Sequence, residues 1–333
     1  MGRLSRTPSV RTPRSRFDNA SMTLSLDEWT YRKDACLWIV YEVGRLTGVM
    51  TEESAAQETT STILVIGATG KTGRRIVARL RAGDRPVRPA SRTSEVAFDW
   101  TDESTWNAAL AGVSAIYIAL PLTPVPTQEL VDRAVASGVR RLVALSGRGA
   151  ETWDAGFGQD MVALEQAVQE SGVEWSILRA SNFAQNFSED AFWEPIMAGD
   201  VQLPVGGVPE PFIDVEDVAE VAAALLTRDD QVGKIIEVTG PESLTWGDAI
   251  GLIAKEIGRD VRFVDVAPEE FVTLQTSAGV PQEDVETLDT MFAEIRRGKL
   301  TAPTDGVREV LGRKPRSFDA YVARAAAAGA WTA

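Results

Sequence analysis

Short apolar runs alternate along most of this chain with longer stretches in which apolar residues recur every three or four positions. The runs at 63–66, 86–90, 96–98, 115–120, 141–145, 174–178, 234–239 and 261–266 are brief and several are rich in β-branched residues, so they read as strands. Between them, Ile76, Val77 and Leu80 share one helical face, and 127–137, 159–171 and 215–226 carry the same spacing. Glu216 and Asp217 fall where a helix starting at Val215 would want acids. Strands alternating with helices predict an α/β fold, a doubly wound parallel sheet whose ligand crevice lies at the carboxyl ends of the strands. Gly67, Arg92, Asp99, Leu120, Ser146 and Arg179 stand at those ends.

The stretch from Thr62 to Leu80 organises the rest. A buried strand runs into Gly67, Gly70 and Gly73, and an amphipathic helix follows, with Gly83 as its stop. Glycine permits φ > 0 and close approach of backbone to a phosphate, and a helix N-terminus presents free N–H groups to it. The spacing is Gly-x-x-Gly-x-x-Gly rather than the common Gly-x-Gly-x-x-Gly, yet strand, turn and helix together indicate a dinucleotide. Gly67, Thr69, Gly70, Lys71, Thr72 and Gly73 are the candidate contacts. About 20 positions on, where an acid would hold the ribose of NAD, the chain reads Ser91-Arg92-Thr93. An arginine there suits a 2′-phosphate, so NADP(H) is favoured over NAD(H), with Arg74 as a second contact. Asp99 and Trp100 would border the adenine, and Leu120, Pro121 and Ser146 the nicotinamide.

Beyond Arg179 the pattern changes. The amide-rich aromatic segment 180–187 is followed by Phe192 and Trp193, then by 211–214, and from Trp246 onward helix predominates with one more strand. We expect a small C-terminal substrate lobe, about 183–212 and 240–333, on a domain spanning 61–333. Residues 1–60 form an N-terminal extension expected to be disordered or not native. Its first 16 residues hold five arginines and no acid, but Pro8 and Pro13 oppose an amphipathic transit helix, and Met50 is a plausible natural start. Residues 27–49, a short helix or hairpin, suggest no function.

Composition removes several chemistries. Among 333 residues there is no histidine and a single cysteine, Cys36, which disfavours histidine-based triads, zinc sites and disulfide frameworks. No metal is expected. No apolar run approaches a membrane span; residues 35–43 are the nearest. The first 60 residues hold 8 of 34 Lys/Arg and 8 of 48 Asp/Glu, so the whole net charge of −14 belongs to the rest. A body that acidic repels phosphate backbones, and no direct nucleic-acid binding is expected. A cytoplasmic protein acting on a small molecule fits these features.

Four separated motifs now carry a family resemblance: GATGKTG at 67–73, LSG at 145–147, LRASNFAQNF at 178–187 and PFIDVEDVA at 211–219. Over residues 62–331 the chain resembles the NmrA-like, atypical short-chain dehydrogenase/reductase family, in particular its members similar to ergot-alkaloid reductases of the festuclavine dehydrogenase type. The resemblance implies a Rossmann-type core, a small substrate lobe and an NADP(H) or NAD(H) site. Family members reduce imines, quinones and phenylpropanoids; others bind the dinucleotide as regulators. Ser146 matches the serine of the better-known short-chain dehydrogenases. Their Tyr-x-x-x-Lys, which protonates the carbonyl oxygen, would fall on or near Phe157 and Met161, and neither transfers a proton. The catalytic residue is therefore unassigned.

The substrate contacts expected are Asn182, Phe183, Gln185, Asn186, Phe187, Trp193 and Phe212. The aromatic residues among them could equally be core, and Asn182 and Asn186 helix caps. Asp214 and Asp217 read as caps. An NAD(P)H-dependent reduction of an iminium, quinone or carbonyl compound is the leading reading. The first two acceptors need little acid assistance; a water, Glu151 or Asp154 could serve where a proton is wanted. The alternative is a non-catalytic NAD(P)(H)-sensing regulator, possible protein partner included. A partner-binding scaffold is a weaker third.

Overall fold

The computed structural model describes residues 61–121, 123–153 and 158–332. The readings made for 1–60, Asp154 and Phe157 lie outside the described residues. Nine strands are formed among them: β1 Thr62–Ile66, β2 Val87–Ser91, β3 Val96–Ala97, β4 Val113–Ile118, β5 Arg141–Gly147, β6 Glu174–Ala180, β7 Asp200–Leu203, β8 Lys234–Val238 and β9 Arg262–Asp265. Seven of them make one all-parallel sheet in the order β3-β2-β1-β4-β5-β6-β8. The chain moves outward in one direction from β1 and in the other from β4, so the crevice between their carboxyl ends is the switch point where such folds bind ligands.

The strand runs are apolar on both faces because both faces are covered. Ile63 and Val65 point to one side, into a core shared with the helices Lys71–Ala82 and Val215–Thr227. Leu64 and Ile66 point to the other, against Trp106–Leu110, Thr127–Ala136 and Gln159–Glu170. This is the doubly wound, Rossmann-type arrangement, and the strand limits differ from the expected ones by one or two residues at most ends. Gly83 ends the first long helix as expected, but with φ −97; the left-handed residue is its neighbour Asp84, with φ 53.

A third core collects the C-terminal helices. Phe187, Phe192, Phe212, Trp246, Phe292, Phe318, Tyr321 and Trp331 are buried in it, with ring centroids 5.0–6.2 Å apart. Each such ring contributes about 1.5–3 kcal/mol of burial. β7 and β9 add a separate two-stranded parallel sheet to this region. β7 has no counterpart in the sequence reading: four residues that pair only with a strand some sixty positions later leave no local signature.

Among the described residues no helix is long and apolar enough to cross a membrane.

Candidate functional site

The three glycines of the first turn do three different things. Gly67 has φ +76, a region other residues avoid, and its N–H and that of Ala68 both donate to Ala90 O at 3.1 Å, fastening the turn to β2. Gly70 has an ordinary backbone, φ −73 and ψ 173, and donates to Gly67 O at 2.9 Å. Gly73 is the close-packed member: a Cβ there would stand 2.2 Å from Gly67 O. The helix Lys71–Ala82 therefore begins on Gly70 with no side-chain cap and no acid in its first turn. Its first N–H groups and the positive end of its dipole are left for an anion, beside the exposed Thr69 and Gly70.

The side chains of that turn are engaged elsewhere. Thr72 is buried and receives the Tyr117 hydroxyl at 3.0 Å, so it faces the core rather than the crevice. Lys71 Nζ donates to Asn186 Oδ1 at 2.7 Å and pairs with Asp190. Arg74 pairs with Glu189; Arg75 reaches Glu189 at 2.7 Å and Glu216 at 2.8 Å. These contacts stitch the helix Lys71–Ala82 to the 186–190 segment and to the helix Val215–Thr227. Burial alone would raise the Glu189 carboxyl, but Arg75 and Arg74 hold it below its ordinary range. Lys71 and Asn186, placed by sequence in the cofactor and substrate groups, thus touch each other.

At the end of β2, Arg92 is exposed and hydrogen-bonds no other described side chain, which leaves its guanidinium available. The turn beneath it is fixed by Ser91 Oγ, 2.7 Å from Ser94 Oγ. Asp99 accepts the Thr101 N–H at 2.9 Å and the Thr101 hydroxyl at 2.8 Å, which hold its carboxyl below the ordinary range. Trp100 packs edge-on against Phe98 and Trp106 at 5.3 and 6.3 Å. Both residues close their own turn; Asp99 also gives its main-chain oxygen to the Trp106 indole at 2.8 Å.

In the centre of the crevice, half-buried Leu120 and exposed Pro121 follow β4, while Ser146 sits near the end of β5. The Ser146 hydroxyl is buried and has no hydrogen-bond partner among the described residues, an orphan that a bound ligand would satisfy. Beside it on β6, Arg179 is held by Glu165 through two bonds of 2.9 and 2.7 Å and also pairs with Glu151. Glu151, a candidate acid, is thereby committed as a carboxylate partner. Met161 lies half-buried in the first turn of Gln159–Glu170. Tyr117 and Tyr321 are buried, and burial pushes both phenols well above their ordinary value, so neither replaces the missing tyrosine.

The segment after β6 divides in two. Phe187 and Phe212 lie in the lobe core, and Gln185 is buried, donating to Asp214 Oδ1 at 2.8 Å and accepting the Val215 N–H at 2.9 Å. Those three shape the lobe from behind. Trp193 donates its indole N–H to Ala330 O at 2.7 Å and borders an open groove of about 420 Å³ that Ser188, Glu189, Asp190, Ala191 and Glu194 also line. Asn182 and Phe183 stay half-buried at the sheet end, where Phe183 bridges Ile213. The residue that sequence reasoning missed is Glu210. Its carboxylate accepts Asn182 Nδ2 at 2.7 Å, is almost fully buried, and is pushed up to about 7 by that burial against the opposing pull of Asn182 and Arg148. The Trp246 indole N–H beside it adds to that opposing pull, but it is buried without hydrogen-bond geometry to any described partner. Only its place one residue before the PFIDVEDVA motif could have drawn notice to it.

Residues 59–322 match the model of the NmrA-like family. The chain belongs to that family. It is 30% identical to Prestalk A differentiation protein A of Dictyostelium discoideum, over 79% of this chain and 92% of that protein. It is also 30% identical to an NAD(P)H azoreductase of Xenophilus azovorans, over 80% of this chain and 99% of the relative. Among solved structures, an NADPH-dependent quinone oxidoreductase from Escherichia coli in complex with NADPH superposes with a TM-score of 0.70 at 18% identity. It covers 79% of this chain and 99% of its own. The NmrA-like fold expected from the four motifs is thus the fold observed.

Proposed function

We propose that this NmrA-like protein is an NAD(P)H-dependent reductase of a small organic acceptor, an iminium, quinone or carbonyl compound, and that NADPH is its preferred reductant. The observation that carries the reading is the conjunction of an uncapped helix start after Gly70 with the unpartnered Ser146 hydroxyl at the same end of the sheet. The azoreductase relative supports it. Gly67, Thr69, Gly70 and the first N–H groups of the helix would hold the pyrophosphate, and exposed Arg92 the 2′-phosphate. When bound, the dinucleotide supplies a hydride. The chain's own part is to orient and enclose: Ser146 donates a hydrogen bond at the reacting end, and Asn182 offers its amide oxygen, because its N–H₂ is committed to Glu210. No described tyrosine supplies a proton, which suits acceptors that are already cationic or readily reduced.

A second reading has its own observation. The buried tyrosines and the absence of Tyr-x-x-x-Lys also suit a protein that binds NADP(H) without turnover and signals its redox state. Titration with NADPH, NADH and their oxidised forms, followed by NADPH-oxidation assays against quinone, iminium and aldehyde acceptors, separates the two. Tight binding with turnover supports the reductase; tight binding with no turnover and a large NADPH–NADP⁺ difference supports the sensor.

Arg92→Asp tests the cofactor preference. Removing a charge-assisted phosphate contact and adding a repulsive one should reduce the NADPH-over-NADH affinity ratio by about 30-fold or more. An unchanged ratio in direct binding assays would assign Arg92 to the solvated surface.

A further inference from the structure

Lys71 stands where two parts of the site meet. It is the first residue of the helix Lys71–Ala82, directly after Gly70, so its main-chain N–H is one of those left open for an anion. Its ammonium, however, is bound to the segment that follows β6: Nζ donates to Asn186 Oδ1 at 2.7 Å and pairs with Asp190. The neighbouring Arg75 is held far more firmly. It reaches Glu189 at 2.7 Å, Glu216 at 2.8 Å and the carbonyl of Lys71 at 2.9 Å. Lys71 has a single carboxylate, and that carboxylate is loosely kept. The Asp190 side chain is 56% exposed, and Lys71 is the only group bonded to its carboxylate among the described residues. So exposed a pair is weak in water. A pyrophosphate carries more negative charge than one carboxylate, and the helix start is already open to it. A lysine, a compact charge on a flexible four-carbon stem, exchanges partners readily.

From these contacts we propose that Asp190 sets the affinity of the dinucleotide site: it holds the Lys71 ammonium as an internal substitute for the phosphate, and the incoming pyrophosphate takes that ammonium from it. This rests on the dinucleotide reading of the helix start but needs no turnover for its test. Cofactor binding then includes the breaking of the Lys71–Asp190 pair, which lowers the net affinity. It also undoes one tie between the helix and the 186–190 segment, while the tie from Arg75 to Glu189 remains.

The test measures NADPH affinity by nicotinamide fluorescence on wild type, Asp190→Asn, Lys71→Met and the double variant, with thermal unfolding of each alongside. Asp190→Asn keeps the shape of the side chain and removes its charge. It should bind NADPH about threefold to fivefold more tightly than wild type, because Lys71 no longer leaves a carboxylate to meet the phosphate. Lys71→Met should bind about tenfold more weakly. In the Lys71→Met background, Asp190→Asn should change the affinity by less than about twofold, since an exposed charge acting without a partner is screened. An equal gain in both backgrounds would show plain repulsion between Asp190 and the cofactor and overturns the proposal. Unchanged or weaker binding by Asp190→Asn, as for a merely structural acid, overturns it too, and so does unchanged binding by Lys71→Met. No NADPH binding by folded wild type removes the proposal together with the dinucleotide site. Tightening in Asp190→Asn without NADPH oxidation by quinone, iminium or aldehyde acceptors would leave the proposal standing and remove the reductase reading instead.

Discussion

Gly73→Val is expected to abolish the native fold, whereas Gly70→Val should leave a folded protein that no longer binds a dinucleotide. At Gly73 the added Cβ would fall 2.2 Å from Gly67 O, 2.7 Å from Gly67 C and 2.9 Å from Ala68 Cα, all backbone atoms of the turn itself. That backbone is held on its other side by the two N–H bonds to Ala90 O, so it cannot retreat without breaking the β1–β2 connection. Overpacking against fixed backbone costs about 3 kcal/mol or more, a large part of a domain's marginal stability. At Gly70 the φ and ψ suit a β-branched residue, and the Cβ would meet Gly67 O at 3.2 Å, a contact that a small shift relieves. Its side chain would project over the open helix start, the proposed phosphate site. Thermal unfolding within a few degrees of wild type, with NADPH affinity reduced by about 100-fold or more, is the expected behaviour of Gly70→Val. If Gly70→Val bound NADPH normally, the helix start would not be the phosphate site, and the reading of the whole crevice would fall with it.

The contrast between these glycines shows what the sequence carries. Their spacing announces a strand–turn–helix unit, because that depends on local backbone geometry and on apolar periods of two and 3.6 residues. Which glycine is there for its torsion, which for approach and which for packing depends on distances across the turn. The same division runs through the site. The positions of Ser146, Asn182 and Arg92 at or just past the carboxyl ends of the strands were legible, because the strand runs are bounded by their own local pattern. Thr72, Phe187 and Phe212 were not, because a threonine or a phenylalanine after a strand reads the same whether it faces a ligand or a core. Only the Tyr117 hydroxyl on Thr72, and the edge-on and tilted packing of Phe187 against Phe212 and Trp246, decide it.

Glu210 supplies the second large effect, and its sign follows from its surroundings. Glu210 is 8% exposed, and burial pushes its carboxyl up to about 7, above the 4.5 of an unhindered glutamate. The groups around it are the Asn182 amide, the Trp246 indole N–H and Arg148, whose guanidinium is itself turned to Glu237 at 3.1 Å. No cation pairs directly with Glu210 among the described residues, so desolvation outweighs the attraction. The folded protein therefore holds this proton more tightly than the unfolded chain does. The resulting stabilisation is complete below about pH 4.5 and is lost as pH rises through about 7. A displacement of that size corresponds to about 3 kcal/mol when fully expressed. Glu210→Gln keeps the shape and an acceptor for Asn182 but cannot ionise. Measured by chemical denaturation, the variant should gain about 2–3 kcal/mol on wild type between pH 5 and pH 8, with every other titrating group cancelling in the comparison. A gap that stays constant with pH would show that Glu210 is ionised throughout, and would place a compensating charge beside Asn182. A gap that widens as expected makes the Asn182–Glu210 pair a place where a proton enters or leaves the sheet end near neutrality, next to the amide proposed to meet the acceptor.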